Sequence, residues 1–306
     1  MVRQLSSELA KVAKEELNEN PKRVQDDLQH LKDWISKQPH LIARTDDQWL
    51  IALLRGCKFS LERVKKKLDL FYTLKSTAAD ITLRLKPTDP KFLEFLRLGT
   101  CLILPESKTL MPRVIVIRPG AFDPEKNSVS DVLCIFYYLV QILVLESDTS
   151  TVLGTKIIVD YKGVGTGHLT EVTAALPKKM VAITQECIPL RLKGSHHVNM
   201  SSIIDMVFTV VKSLINEKAR QRLRIHRSYE ELMNDFPKEI LPAEYGGTGG
   251  TIAEISEYWV NKFIEYKSWM QQEEQLGTDE SKRPGKAQTA EDMFGLDGSF
   301  RKLEID

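Results

Sequence analysis

Apolar residues recur at helical spacing in the first part of the chain. Between residues 5 and 77 they return every three or four positions, as Val24, Leu28 and Leu31 do. This period places them on one face of an amphipathic helix. The pattern predicts a small helical domain over residues 1–85, which ends before two closely spaced prolines.

A different pattern fills residues 86–276, where short β-branched runs alternate with helical periods. The strand-like runs are 113–118, 155–160, 195–199 and 223–226. The helical segments between them are 130–146, 169–188, with a break at Pro177, and 202–215. Strands that alternate with helices favour mainly parallel pairing. We therefore predict an α/β fold in which a helical bundle precedes a domain with a parallel-rich sheet.

Beyond residue 276 the chain becomes polar and acidic. Such a composition predicts a mobile C-terminal tail over residues 277–306. The tail still contains apolar side chains that could dock on the body, namely Met293, Phe294, Leu296, Phe300 and Leu303.

The helix predicted over residues 202–215 is apolar nearly all round. That width fits a buried core helix, and it also fits a lid with one face on the protein and the other on a bound lipid. Between Arg191 and Arg227 there are eight Lys or Arg and two acids, a net +6 in a chain whose total is +1. These cations form either a solvated face or a surface for anionic phosphates.

Composition narrows the class of protein. Hydrophobic residues make up 42% and charged residues 28% of the chain, as in ordinary globular proteins. The near-zero net charge argues against general nucleic-acid binding. The four cysteines are far apart and form no CxxC pair, which suits reduced thiols in the cytoplasm. We expect no signal peptide and no transmembrane segment, because the apolar runs are too short.

Two motifs invite a chemical interpretation. The turn GVGTGH at 163–168 follows a strand, as a dinucleotide-binding turn does, but His168 stands where the pattern needs glycine. A plain glycine-rich turn is therefore favoured. His196 and His197 are adjacent on a strand and face opposite sides, so they cannot share a metal. Without a catalytic motif we predict no enzyme activity, no catalytic residue, no metal and no cofactor.

Several blocks resemble the CRAL-TRIO (Sec14-like) lipid-binding family, in the branch of alpha-tocopherol transfer protein, retinaldehyde-binding protein and the clavesins. DDQWLIALLRGCKFSLERVKKKL resembles the family's helical region, and IIVDYKGVGTGHL its central strand and turn. IPLRLKGSHHVN, INEKARQRLRIH and FPKEILPAEYGG match its characteristic blocks in order. The ending GSFRKLEID is similar to tails of insect members, which favours an insect origin.

The resemblance implies an N-terminal helical bundle and an α/β lipid cage closed by a gate helix. In the family a basic cleft binds phosphoinositide headgroups, and Cys57 stands at one of its basic positions. The other positions correspond here to Arg191, Lys193, Lys218 and Arg222. The implied lipid-pocket residues are Leu133, Phe136, Val140, Ile183, Leu190, Ile204, Val207, Phe208, Val210 and Val211.

The resemblance therefore predicts intracellular binding and transfer of a hydrophobic small molecule such as a tocopherol, retinoid, carotenoid or phospholipid. Release would occur at phosphoinositide-containing membranes. The protein would be cytoplasmic and would associate transiently with endosomal membranes. Two alternatives stay open, a phosphoinositide-sensing adaptor that moves no cargo and a nucleotide-dependent enzyme that uses the glycine turn.

Overall fold

The structure, a computed structural model, describes residues 2–170, 172–173 and 175–294, with residues 185 and 186 described by their backbone only. Helices fill the N-terminal part, as predicted. They are α1 (Ser7–Leu17), α2 (Val24–Ser36), α3 (Asp47–Gly56), α4 (Leu61–Thr77), α5 (Ala79–Thr82) and α6 (Pro90–Arg97). The Ser6 hydroxyl caps α1 by accepting a bond from the Leu9 amide, and Pro90 begins α6 at a position that needs no donor.

A five-stranded sheet forms the centre of the α/β part. Its strands are β2 (Cys101–Ile103), β3 (Arg113–Ile117), β4 (Thr155–Asp160), β5 (Leu192–Val198) and β6 (Leu223–His226), and they lie side by side in that order. The first pair is antiparallel and the other three pairs are parallel. The predicted α/β fold with a parallel-rich sheet is confirmed.

Helices connect the strands of this sheet, and one more helix follows β6. They are α7 (Val129–Glu146), α8 (Asp148–Leu153), α9 (Thr166–Leu169), α10 (Leu176–Val181), α11 (Ser202–Leu214), α12 (Glu217–Arg220) and α13 (Tyr229–Leu232). The helical segment predicted over 169–188, with a break at Pro177, is shorter and irregular. Pro177 lies in the first turn of α10, and a π-helix follows at Ala182–Cys187.

The helix α7 has the length and composition of a membrane span, but 83% of it is buried inside the protein. The cap at the start of α7 and its packing partners also fit a core helix. Asp131 and Ser128 form a capping box at its start. The helix packs against α3, α5 and α8. It therefore forms part of one apolar core that extends from the N-terminal helices to the sheet.

The chain after the sheet returns to the N-terminal helices. It forms α14 (Ile252–Glu265), α15 (Lys267–Glu274), β7 (Gly277–Thr278) and α16 (Ala290–Phe294). The strand β7 pairs with β1 (Leu41–Ile42), and Phe294 is buried. Arg283 forms ion pairs with Asp69 and Glu280, so residues 277–294 make defined contacts with the body. The mobility predicted for residues 277–306 stays a prediction. Leu296, Phe300, Leu303 and the block GSFRKLEID lie outside the described residues.

Candidate functional site: a basic cleft beside a half-exposed helix

A cleft with a volume of about 560 Å³ opens between the N-terminal helices and the segment that flanks α11. We call it the basic cleft because most of its charged lining residues are cations. The N-terminal helices contribute Lys58, Arg63, Lys66 and Lys67, and the α/β part contributes Arg191, Lys193, Lys218 and Arg222.

The structure brings the four predicted phosphoinositide-binding residues together in this cleft. Arg191 and Lys193 stand at the start of β5, and Lys218 and Arg222 stand on α12 and just after it. Two of the guanidinium groups are anchored, since Arg191 donates to the Val152 carbonyl and Arg222 to the Leu192 carbonyl. The four cations meet because the chain between α12 and β6 returns to pair in parallel with β5.

Sequence reasoning missed most of the cations that come from the N-terminal helices. Lys58 follows Cys57 directly, and Arg63, Lys66 and Lys67 belong to a basic run on α4. A run of lysines on an amphipathic helix usually indicates only a solvated face. The signal is visible only in three dimensions, where this face of α4 lies opposite β5 and α12.

A close backbone contact holds the two walls of the cleft together. A Cβ atom at Gly56 would overlap the carbonyl oxygen of Pro189, so glycine is needed where α3 ends against the segment before β5. Lys58 and Phe59 then adopt left-handed backbone conformations that turn the chain into α4. The turn directs Lys58 into the cleft.

Cys57 stands at a position that is basic in the family, and Arg55 lies two residues before it. The two side chains have different surroundings. Cys57 is buried in the cleft wall, and this burial raises the pKa of its thiol. Arg55 is also buried and forms ion pairs with Glu19 and Asp148 at 2.9 and 3.1 Å. Arg55 therefore stabilises the junction of α1, α3 and α8 and does not line the cleft.

The pKa values of two cleft residues reflect their burial and the nearby positive charge. Partial burial lowers the pKa of Arg191 and of Lys193. Like charge adds to this effect, because Arg222 lies near both residues and Arg191 lies near Lys193. An anion in the cleft would relieve this repulsion, and a phosphate offers several acceptor oxygens to do so.

The helix α11 beside the cleft is neither a buried core helix nor a fully solvated one. Ile204 and Phe208, one turn apart, face the body, where the Phe208 ring packs 4.6 Å from His197. On the opposite side Met206 and Val210 are 70% and 50% exposed. A lid is expected to be an apolar helix that contacts the protein along one narrow face, as α11 does. The exposed face of α11 argues against a buried core helix.

The predicted lipid-pocket residues occupy several different surroundings. On α7, Leu133, Phe136 and Val140 share one buried face. Ile183 is buried in the π-helix, whereas Leu190 lines the basic cleft. On α11, Ile204 and Phe208 are buried, Val207 and Val211 are half-buried, and Val210 is exposed. Their role in lipid binding stays a prediction.

The chain enters α11 through an anchored hinge. Asn199 has a left-handed conformation with φ of 59°, and its side-chain amide donates to Asp160 at 2.7 Å. The other Asp160 oxygen accepts bonds from the hydroxyls of Tyr229 and Tyr245, each at 2.8 Å. Asp160 is buried at the end of β4, so the hinge is attached to the sheet while α11 itself is held by few contacts.

The two adjacent histidines of β5 face opposite sides, as predicted. His197 bonds to Tyr161 and Ser195 on the side of α11. His196 bonds to His226 on the other side, with 3.0 Å between Nδ1 and Nε2. Burial lowers the pKa of both, to about 4 for His196 and about 3 for His197, so both are neutral near pH 7.

His196, His226 and Asp235 lie close enough to be considered as metal ligands. Their orientation favours hydrogen bonding instead. The two imidazole planes differ by 10° and their centroids are 5.2 Å apart, so the rings lie nearly end to end and their facing nitrogens point at each other. Asp235 is already paired with Arg224 at 2.7 Å. We interpret the group as a hydrogen-bonded link between β5 and β6.

The glycine turn at 163–168 is closed by its own histidine. His168 Nδ1 accepts a bond from the Gly165 amide, and Nε2 lies 3.1 Å from the Phe122 carbonyl oxygen. The helix that follows, α9, has four residues. The ring thus fills the space that a third glycine would leave open, which agrees with a structural turn.

Two family models match the chain. The model described as CRAL/TRIO domain matches residues 99–247, which contain the whole five-stranded sheet from β2 to β6 together with α11. The model described as Pinta-like, UBA domain matches residues 20–92, which contain the helices from α2 to α5.

Similar proteins also exist among curated sequences and solved structures. The alpha-tocopherol transfer protein-like protein of Homo sapiens is 31% identical over 250 residues, which cover 81% of this chain and 72% of the relative. Clavesin-1 of Xenopus laevis is 25% identical over 246 residues, which cover 80% and 74%. The crystal structure of Sfh5 aligns with 86% of this chain and 99% of that chain, at 13% identity and a TM-score of 0.47.

Proposed function

The chain belongs to the CRAL/TRIO family, whose members bind and transfer lipids, and from this premise we propose that it is a non-catalytic carrier of one hydrophobic small molecule. The proposed cargo is a tocopherol, retinoid, carotenoid or phospholipid-like molecule. We propose that the protein works in the cytoplasm and releases its cargo during transient contact with phosphoinositide-containing membranes, such as those of endosomes.

The observation that carries this proposal is the position of the basic cleft directly beside α11. A carrier must both hold an apolar molecule and detect the membrane that receives it. Cations from the N-terminal helices and from the segment after α11 line the cleft. A phosphorylated headgroup bound there would therefore contact both the helical part and the α/β part of the protein. The Arg191 and Arg222 guanidinium groups are held in fixed orientations for such a ligand.

Binding of the cargo would depend on the hydrophobic effect. A ligand that removes some 400 Å² of hydrocarbon from water gains on the order of 10 kcal/mol before the costs of association are subtracted. The proposed walls are the apolar faces of α7 and α11, through Phe136 and Phe208 with their neighbours. Neither a catalytic group nor a cofactor is required for this function.

Release would follow from an equilibrium between closed and open positions of α11. Met206, Val210 and Leu214 form an exposed apolar stripe on its outer face, which can enter the membrane surface when the helix moves. The anchored hinge at Asn199 would remain with the sheet during this movement. A headgroup in the cleft favours the open position only to the extent that it binds this state more tightly.

A transfer assay tests the proposal. The protein is loaded with a fluorescent tocopherol analogue and mixed with acceptor vesicles that either contain or lack a bisphosphorylated phosphoinositide. We expect faster transfer to the phosphoinositide vesicles, and a loss of this preference in high salt because the attraction is screened beyond about 10 Å at 0.1 M. Vesicle binding without any transfer would instead identify a phosphoinositide-sensing adaptor.

A further inference from the structure

Among the described residues that line the basic cleft, Glu16 is the one acid. It belongs to the last turn of α1, and its carboxylate lies 3.5 Å from Lys193 Nζ and 3.9 Å from Arg191 Nη1. Glu16 thus partly neutralises two of the four cations that the sequence assigned to headgroup binding. Its contribution to Lys193 and Arg191 opposes the effect of burial and favours their charged forms.

The ion pairs of Glu16 with Lys193 and Arg191 can be broken with little loss of free energy. The Glu16 side chain is 54% exposed, and both of its ion pairs are longer than a charge-assisted hydrogen bond. Exposed pairs of this kind contribute little to stability. A carboxylate placed for stability alone would be expected to be more buried and to make shorter contacts, as Glu19 does with Arg55 at 2.9 Å.

The apolar contacts of the helix that carries Glu16 are separate from the main core. Leu9, Ala13 and Leu17 form a small apolar cluster with Val152 of α8, apart from the main core. The helix α1 can therefore shift or loosen without opening the core that supports the sheet. Such peripheral elements have low local unfolding free energies.

We propose that Glu16 is a built-in competitor of the anionic ligand, and that α1 is a displaceable strap that lowers the affinity of the basic cleft. This inference rests on the proposed headgroup binding at the same cleft. A phosphate that approaches Arg191 and Lys193 must replace the Glu16 carboxylate or bear its repulsion. Ligand binding and release of α1 are then coupled, and by linkage a looser α1 increases the affinity for the anion.

The test compares Glu16→Gln with Glu15→Gln, which removes the same charge from the same helical turn but does not line the cleft. The probe is soluble inositol 1,4,5-trisphosphate, titrated calorimetrically at low salt into the full chain. Because two exposed ion pairs are lost, we expect Glu16→Gln to bind about three- to tenfold more tightly than the unmodified protein. Glu15→Gln should stay within about twofold.

Hydrogen exchange of the α1 amides provides a second measurement. Addition of the trisphosphate should increase exchange over Ser7–Leu17 in the unmodified protein and change it less in Glu16→Gln. Equal or weaker binding by Glu16→Gln, or increased protection of α1 on binding, would overturn the strap while leaving headgroup binding intact. Absence of binding by the unmodified protein and by Glu16→Gln would overturn both the strap and the proposed role of the cleft.

Discussion

Removal of two cleft cations gives the most direct estimate of what the basic cleft contributes. Lys218→Ala and Arg222→Ala together delete one exposed ammonium group and one guanidinium group that is anchored by the Leu192 carbonyl. An exposed ion pair contributes up to about 1 kcal/mol. A hydrogen bond to a charged group contributes about 2 kcal/mol. The double variant should therefore lose about 3 kcal/mol of headgroup affinity, which is about a hundredfold.

The assay is calorimetric titration with inositol 1,4,5-trisphosphate at two ionic strengths, with melting temperature as the check on folding. The matched control is Lys86→Ala with Lys108→Ala, since both lysines are exposed and neither lines the cleft. The control should keep its affinity within about threefold, because only long-range attraction is lost. If the two double variants lost affinity equally, general net charge and not the cleft would be responsible.

Three further predictions concern the architecture that supports the cleft. Gly56→Ala should cost about 1–3 kcal/mol of stability and weaken headgroup binding, because the added methyl group overlaps the Pro189 carbonyl; urea unfolding and the same titration measure both effects. Burial lowers the pKa values of His196 and His197, so their unfolded imidazoles bind protons that the folded ones do not. The free energy of unfolding should thus fall by on the order of 2 kcal/mol per residue between pH 7 and 5, and a flat profile would contradict this. Phe294→Ala should cost about 3 kcal/mol or less, because a five-residue helix can partly refill the space; an unchanged melting temperature would show that α16 contributes nothing.

The sequence predicted the parts of the fold that local patterns determine. The strands β3 and β4 are short β-branched runs, and the positions predicted for β3, β4 and β6 are correct. The strand β2 could not be recognised, because its three residues are fully buried and show no alternation. The helix α11 could not be distinguished from a core helix, since the same apolar residues would suit either until its exposed face was seen.

Some residues of the candidate site could also be predicted from the sequence, and others could not. Arg191, Lys193, Lys218 and Arg222 could be selected because they fall in blocks that resemble a known family. Lys66 and its neighbours on α4 could not, since they are more than 100 residues from β5 and only the packing of the helices brings them to the cleft. Leu190 lines the cleft, and its predicted role in the lipid pocket stays a prediction.

We propose that the protein carries one hydrophobic molecule at a time. Native mass spectrometry of the purified full-length chain, followed by organic extraction of the same sample, tests it most directly. We predict an added mass that corresponds to one apolar ligand per chain and is lost on extraction. A chain that reproducibly shows only its own mass of 34.9 kDa, even after incubation with tocopherol, retinoid, carotenoid and phospholipid, would contradict the account.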